Sequence, residues 1–359
     1  MLYKLIVSMD SSRFETTVIS LTDEGSLGPG LKKQGITVHC LQMPRGLPAP
    51  RSLRRLRQIV NTLRPDILQG WMYHGNLAAF VSGSRAPILW NVRQSLYEMS
   101  RERWLTQLVI YISEHISSRV TTILYNSRVS AQQHAALGFS TSNAVVIPNG
   151  FDISVFRPDS SAFDRVRAEL NVTGEQILIG LVARYHPMKD HAGFLRAAAL
   201  LSRDHPEARF VMAGLGVDKN NRDLMSLIHR LGLSPCVILL GERDNISSLM
   251  PALDIASCSS AWGEGFPNVI GEAMACGVPC VVTDVGDCAS IVGETGRVVP
   301  PRDPSSLAQA WRELIDMGAQ QRQQLGLAAR ERVKDNFSLD AVTRRYEALY
   351  QNVYDQVRH

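Results

Sequence analysis

WGEGFPNVIGEAMACGVPCVVTD, residues 262–284, is the stretch around which the rest of the chain is organised. It carries two glutamates, Glu264 and Glu272, separated as E-x7-E, with a Gly-Phe-Pro-Asn turn between them that predicts a helix start. Pro267 suits the first helical position, where its missing N–H costs nothing. Val269 and Ile270 pair with Ala273 and Met274 at i,i+4 to give one buried side, and Gly277 is placed to end the helix. Residues 278–283 then read as a buried strand. Free backbone N–H groups in the stretch 266–268, Pro267 excepted, would make the helix start a seat for an anion. Carboxylates on either side of such a seat suit a ligand bearing both phosphate and hydroxyl groups. Taken alone, the pair reads first as an ordinary loop-to-helix junction with solvated glutamates.

Upstream, the apolar run ILIGLVAR predicts a strand ending at Arg184, where parallel sheets bind ligands. Lys189 follows just before a helix predicted from about 190. An arginine forking two oxygens and a lysine acting as a point charge could together hold a diphosphate; two surface cations near a loop is the plainer alternative.

Strands alternate with helices along the whole chain. Strands are predicted at 14–21, 36–43, within ILQGWMYHG (with a loop at its end), 87–93, 121–127 and AVVIPNG. Helices are predicted at 2–9, 31–34, 51–64, 76–82, 102–119 and 128–137. After residue 158 the pattern restarts, with strands at 176–184, 208–214, 237–241, 255–260 and 278–284. Helices are predicted between them at 190–202, 220–231, 246–251 and 267–276, and over 305–357. Such alternation implies an α/β chain with parallel sheets covered on both faces. The predicted organisation is a first domain over 1–150, a linker at 151–158, a second domain over 159–335 and a C-terminal helix over 336–359 crossing back to the first. Two Rossmann-like domains facing across a cleft would converge strand ends and helix starts on a ligand. A dinucleotide is a poor candidate, because AGLGVD (213–218) lacks the third glycine of the fingerprint and GSLGPG (25–30) has the wrong spacing.

Composition narrows the function further. The chain has 359 residues, 45% apolar and 20% charged, enough for two cored domains of ordinary soluble character. No apolar run is long enough to span a membrane, and Met1 leads straight into the amphipathic LYKLIVSMD, so no secretory signal is expected. The six cysteines (Cys40, Cys236, Cys258, Cys276, Cys280, Cys288) form no CxxC pair and read as reduced, mostly buried thiols of a cytoplasmic protein. Residues 1–150 hold 16 Lys and Arg against 8 Asp and Glu, a net +8, so the remainder (22 against 26) carries −4. Arg45, Arg51, Arg54, Arg55, Arg57 and Arg64 supply much of the excess. Either an anionic membrane surface or acceptor is met there, or the arginines are a solvated helix face. Nucleic acid is not expected, since no aromatic-interleaved basic platform appears.

GLVARYHPMKD, FVMAGLG, LLGERDNISSLMPALDI, SSAWGEGFPNVIGEAMACGVPCVVTDVGD and GRVVPPRD follow in the order and spacing of a known family. In this the chain resembles the retaining GT-B glycosyltransferases, specifically the large family 4 type that contains bacterial envelope-polysaccharide and lipopolysaccharide transferases. The likeness is strongest over 176–304 and looser in the first half, through VISLTDEG, LRPDILQGWMYHGNLAA, YNS and VIPNGFD. It implies a GT-B fold and a hexosyltransferase that moves a sugar, with retention, from a nucleotide-sugar donor (UDP-linked) to a glycan or lipid-linked acceptor. By the same resemblance, Arg184 and Lys189 would neutralise the leaving diphosphate and Glu264 would face the transferred sugar. Glu272 would accept hydrogen bonds from the ribose. Backbone at Gly265, Phe266, Pro267 and Asn268 would meet sugar hydroxyls and phosphate, and backbone at Arg243, Asn245 and Ile246 the nucleobase. Gly214 would join the donor side, and His74 and Arg93 the acceptor side. No Asp-x-Asp pair of the metal-dependent transferases is present, so neither metal nor cofactor is expected. The implied setting is the cytoplasm, peripheral on the inner face of the membrane.

One departure stands out. The family places a strand and a Gly-rich loop just before a helix like LYKLIVSMD, and that strand would be central in the first sheet; the sequence begins at the helix. Two other readings share the fold: a nucleotide-sugar epimerase of the UDP-GlcNAc 2-epimerase type, and an inactive donor-binding remnant.

Overall fold

A computed structural model describes residues 1–44, 50–97 and 99–358, so Arg45 of the basic series lies outside the described residues. The chain divides into two units, Met1–Gly150 together with Leu339–His359, and Phe151–Ser338. The first comprises α1 (Leu2–Ser8), β1 (Thr17–Ser20), α2 (Gly28–Lys33), β2 (Thr37–Cys40), α3 (Pro50–Leu63) and β3 (Leu68–Trp71). It continues with α4 (Met72–Val81), β4 (Ile88–Val92), α5 (Trp104–Ile116), β5 (Thr122–Tyr125), α6 (Arg128–Ala136) and β6 (Ala144–Val146). The second begins with α7 (Ser160–Glu169), β7 (Ile177–Val182), α8 (His191–Leu201), β8 (Ala208–Ala213), α9 (Arg222–Arg230), β9 (Val237–Leu239) and α10 (Ile246–Leu249). There follow β10 (Ile255–Cys258), α11 (Asn268–Ala275), β11 (Cys280–Thr283), α12 (Cys288–Val292), β12 (Gly296–Val299), α13 (Pro304–Asp316) and α14 (Gly318–Phe337). The last helix, α15 (Leu339–Arg358), belongs to the first unit.

Side chains alternate across each sheet, and the chain uses both faces. In the first unit Trp90, Val92, Ile123 and Tyr125 pack with Tyr73 and Ile110 of α4 and α5. The alternate residues Leu89 and Leu124 pack on the other face with Leu5 of α1 and Val342, Tyr346 and Val353 of α15. A parallel strand covered on both sides reads as a mostly apolar run, as ILWNV and TILY do, with Asn91 and Thr122 as buried polar members. Leu56 and Val60 of α3 close a further cluster with Ile19, Leu68 and Ala78, so α3, α4 and α5 line one face side by side.

The strands of this unit form two parallel sheets, β1-β2 and β3-β4-β5-β6. Among the described residues β1 and β3 each keep one edge without a strand partner, and both stay largely half-buried while β5 is buried throughout. No loop follows β3, contrary to the reading of ILQGWMYHG. Met72, at φ 60°, turns the chain straight into α4, so His74 lies in the first turn of a helix. Gly70 permits this, because a Cβ there would meet the Asn76 backbone at 2.4 Å.

The second unit is one six-stranded parallel sheet of order β12-β11-β10-β7-β8-β9. Leu178, Val211, Ala256 and Val282 pack on one side with α11 and α14, whereas Ile179, Phe210, Ile255 and Val281 pack on the other with α8 and α13. There Phe194, Phe210 and Trp311 meet ring to ring, and the Trp311 indole donates to Ser257 Oγ at 2.7 Å. A buried indole needs such a partner. Helices α7 and α12 and the edge strand β12 are additions to the sequence reading. Asp159, accepting from the Ala162 N–H at 2.9 Å, is the N-cap signal that marks α7.

Candidate functional site

Chain order reverses at the middle of this six-stranded sheet. From β7 the chain moves to β8 and β9, then crosses back to β10 on the opposite side of β7. At such a switch point the two flanking loops diverge and leave a crevice outside the strands' carboxyl ends. The loop after β7 carries Arg184 and Lys189, and the loop after β10 carries 259–267.

Each loop is pinned by identifiable bonds. Ala183 N–H donates to Ala213 O at 2.8 Å and Tyr185 N–H to Leu215 O at 2.8 Å, tying the β7 loop to the β8 loop. Gly214, at φ 147°, makes this possible, since a Cβ would sit 2.2 Å from Ala183 O. Beyond it, Asp190 takes a left-handed conformation (φ 47°) and caps α8 by accepting from Gly193 N–H at 2.9 Å. That cap turns Lys189 toward the β10 loop, whose Ala261 N–H donates to Met188 O at 2.8 Å. Ser259 Oγ reinforces the joint by donating to Lys189 O at 2.8 Å.

Lys189 and Glu264 form a direct ion pair, with side chains 17% and 7% exposed. Ser260 Oγ donates to the same Glu264 oxygen at 2.5 Å, and Ser260 O in turn accepts from Thr283 Oγ1 at 2.6 Å. Glu264 is therefore a buried carboxylate in a short chain of polar groups linking the ends of β7, β10 and β11. Its backbone is held just as closely: Gly286 (φ 62°) packs where a Cβ would lie 2.3 Å from Glu264 O, and Asp287 N–H donates to Gly265 O at 2.9 Å.

The helix after Glu264 is α11, and it ends as expected at Gly277, φ 76°. Its start differs by one residue. Pro267 has an extended ψ of 117° and is the N-cap, so Asn268 is the first helical residue. A proline's fixed φ serves either position, which is why the sequence could not separate them. Phe266 turns inward, packing against Phe151 and Phe337, and Gly271 of α11 lets Phe151 approach to where a Cβ would be 2.1 Å away. Glu272 lies half-buried on the second turn of α11, with Asn268 exposed at its start.

Arg184 is exposed, two residues past the end of β7. Arg243 is committed elsewhere, forking onto Glu169 at 2.9 and 3.3 Å while its Nε donates to Asn245 Oδ1 at 2.9 Å. Ile246 opens α10 directly behind Asn245. In the first unit Arg93 is bound into the fold, donating to Tyr346 Oη at 3.1 Å, to Asn91 and to Asn149, and lying over the Trp71 ring. His74 is exposed on α4. These two carry no contact with each other among the described hydrogen bonds.

Sequence reasoning missed Ser260 and His191. Ser260 stands next to the quoted stretch and is singled out only by its contact with Glu264. His191 is buried under the β7 loop, with Nε2 3.3 Å from Ala183 O, and burial lowers its pKa from 6.5 to about 4, so the ring is neutral. The thiols of Cys276 and Cys280 lie in the core on the α11 and α14 side of the sheet, where burial pushes both upward, Cys276 to about 12. Among the described residues, no cluster of three or more His, Cys, Asp or Glu side chains could hold a metal ion.

Two family descriptions match the chain. "Glycosyl transferase 4-like domain" covers residues 1–150, and "Glycosyl transferases group 1" covers 176–317. The putative glycosyltransferase EpsF of Bacillus subtilis is 33% identical over 139 residues, which is 39% of this chain and 35% of that protein. An Escherichia coli UDP-Gal:alpha-D-GlcNAc-diphosphoundecaprenol alpha-1,3-galactosyltransferase is 31% identical over 147 residues, 39% of this chain and 36% of its own. The chain thus spans about a third of the length of either relative. Its fold matches the crystal structure of Anabaena Alr3699/HepE in complex with UDP, with a TM-score of 0.84, 22% identity and coverage of 98% of this chain and 96% of that one.

Proposed function

Because the chain belongs to the GT-B glycosyltransferases of the family 4 type, we propose that it transfers a sugar, with retention, from a UDP-linked donor to a glycan or lipid-linked acceptor of the cell envelope. The observation that carries this reading is the Lys189–Glu264 pair at the switch point, beside the start of α11 and the exposed Arg184. UDP in the HepE crystal structure, and the UDP-galactose and lipid diphosphate in the galactosyltransferase's name, support the donor and acceptor classes.

In this proposal Arg184 and Lys189 receive the diphosphate. Cleavage of the sugar–phosphate bond builds negative charge on the leaving oxygen, and fixed cations stabilise that charge more in the transition state than in the ground state. Lys189 can do so only by sharing itself between Glu264 and the diphosphate. Glu264, held by Ser260, is left to accept a hydrogen bond from a sugar hydroxyl. Glu272 takes the ribose hydroxyls, and the N-terminal turn of α11 faces anionic oxygen. No step requires a metal. The acceptor is assigned to the first unit, and that unit's net charge of +8 over residues 1–150 supports work at an anionic membrane surface inside the cell.

Donor binding and turnover should separate by residue. Glu272→Ala is expected to weaken binding of UDP-sugars roughly tenfold, the loss of one charged hydrogen-bonding partner. Arg184→Ala and Lys189→Ala are expected to lower kcat by at least about a hundredfold each. Full turnover in the Arg184/Lys189 double variant would sink the assignment. Assays run with and without acceptor distinguish transfer from isomerisation of the donor sugar.

A further inference from the structure

The outward side of α5 is unusual for a surface helix. Trp104, Leu108, Tyr111 and Ile112 are 70%, 44%, 61% and 38% exposed, and they fall at i, i+4, i+7 and i+8, on one stripe. Scattered apolar residues on a surface need no explanation, but a stripe on a single helix face marks an interaction site. The opposite side of the same helix is satisfied: Ile110 is buried with Trp90, Ile123 and Tyr73 in the core of the first unit. The exposed stripe is therefore additional to what the fold requires.

Charge identifies what would cover it. Helices α3, α4 and α5 lie side by side on one face of the first unit. Leu56 and Val60 of α3 share a cluster with Ala78 of α4, Arg57 Nε donates to Val81 O at 3.2 Å, and α4 packs on α5. Arg51, Arg54, Arg55 and Arg57 are all exposed on α3, and Arg103 is exposed at the start of α5. Neither α3 nor α4 contains an acidic residue, and α5 has one, Glu114, paired with His115. Residues 50–119 hold ten arginines and four acidic residues, a net +6 of the +8 in residues 1–150. Arg54, Arg57 and Arg64 also line an open groove with Gln58, Asn61 and Thr62.

Basic residues beside an apolar stripe of Trp, Tyr, Leu and Ile are the two components of interfacial membrane binding. Aromatic side chains with a polar tip favour the headgroup level, and arginines are drawn to anionic lipid phosphates. A protein partner would be expected to meet a stripe ringed by both signs of charge. Here the flanking charge is strongly one-sided, with ten arginines against four acidic residues over 50–119. We propose that the outer face of α5, flanked by the arginines of α3, is the surface on which this chain rests on an anionic lipid bilayer. This deepens the membrane-surface part of the function proposed above by naming the residues that do it. None of the long helices is apolar enough to cross a bilayer among the described residues, so the contact lies in the plane of the interface.

The test is co-sedimentation of the whole chain with phosphatidylcholine vesicles, with and without one part in three of phosphatidylglycerol, alongside sedimentation velocity without lipid. The wild-type chain is expected to bind only the anionic vesicles. Trp104→Glu/Tyr111→Glu should lower binding at least about a hundredfold, and Trp104→Phe should keep it within about threefold. Arg54→Gln and Arg55→Gln should each cost about fivefold. All four positions are exposed, and unchanged circular dichroism would verify that the variants fold. If the wild type binds and the Trp104/Tyr111 variant binds equally, the α5 surface is overturned while membrane association stands. If the wild type binds neither vesicle, the membrane-surface reading itself fails. Lipid-free dimerisation that Trp104→Glu abolishes would overturn the proposal in favour of a second copy of the chain on the stripe.

Discussion

Replacing Lys189 by methionine keeps the length of the side chain and removes its charge. It leaves the Glu264 carboxylate 7% exposed, with the Ser260 hydroxyl against it and, among the described residues, no second cation. Removing one partner of a buried pair costs about 3–5 kcal/mol, because the other charge stays buried without compensation. Lys189 itself is 17% exposed, so water reaches part of the pair and the lower end applies, about 3 kcal/mol. For a unit of this size that corresponds to a fall in Tm of about 6–12 °C. Glu264→Gln is the milder change, at about 1 kcal/mol, since an unpaired lysine can extend toward solvent and an uncharged amide still satisfies Ser260. The double variant carries neither charge and should recover to within about 1 kcal/mol of wild type, giving a coupling energy of about 3 kcal/mol. Urea unfolding followed by far-ultraviolet circular dichroism measures all three. The reasoning is refuted if Lys189→Met melts within about 2 °C of wild type. It is equally refuted if the double variant is as unstable as the two single changes added together.

Acid should destabilise both units. His134 is buried in the first, with Nδ1 2.7 Å from Ser130 O and Nε2 2.8 Å from Tyr73 Oη, and burial lowers its pKa from 6.5 to about 4; His191 shows the same lowering in the second. Both folded values lie below the unfolded one. The stabilising contribution is therefore complete above pH 6.5 and is lost as pH falls from there to about 4. The loss approaches about 3 kcal/mol per histidine. Melting curves from about pH 7.5 to about pH 4.5 that show no decline would contradict this. Gly286→Ala forces a Cβ to within 2.3 Å of Glu264 O at φ 62°, so the β10 loop must shift. A cost of about 2–3 kcal/mol and weakened UDP binding are expected, measurable by thermal melting with and without UDP.

The alternation of strands and helices was legible because apolar runs such as ILIGLV and CVVT are buried on both faces and need no partner information to be recognised. Where the reading slipped, local chemistry was ambiguous. The Trp71–Met72 junction reads as a loop in sequence because Met72 adopts a left-handed conformation that sequence does not announce, and Gly70 there serves the return of α4 over its own strand. The edge strand β12 was missed because GRVV is short and half-exposed, lacking the apolar continuity of an interior strand.

The site divides along the same line. Arg184, Lys189, Glu264 and Glu272 could be nominated because they stand at short offsets from a strand end and a helix start, which are local properties. The pairing of Lys189 with Glu264 could not be found that way. The two lie 75 positions apart and meet only because β10 is inserted beside β7 rather than beyond β9. With the strands in simple sequential order, two further strands would separate their loops. The same crossover brings Ser260 under Glu264 and Ser259 onto the Lys189 carbonyl. An offset rule can thus nominate a cation and a carboxylate, but strand order makes them counter-ions. In the proposed function a diphosphate would therefore compete with a carboxylate for Lys189, and the electrostatic gain from that lysine would be smaller than its charge alone suggests. Arg184, exposed and two residues beyond β7, faces no such competition in the described ion pairs, and under the same proposal it is the cation expected to attract the incoming anion.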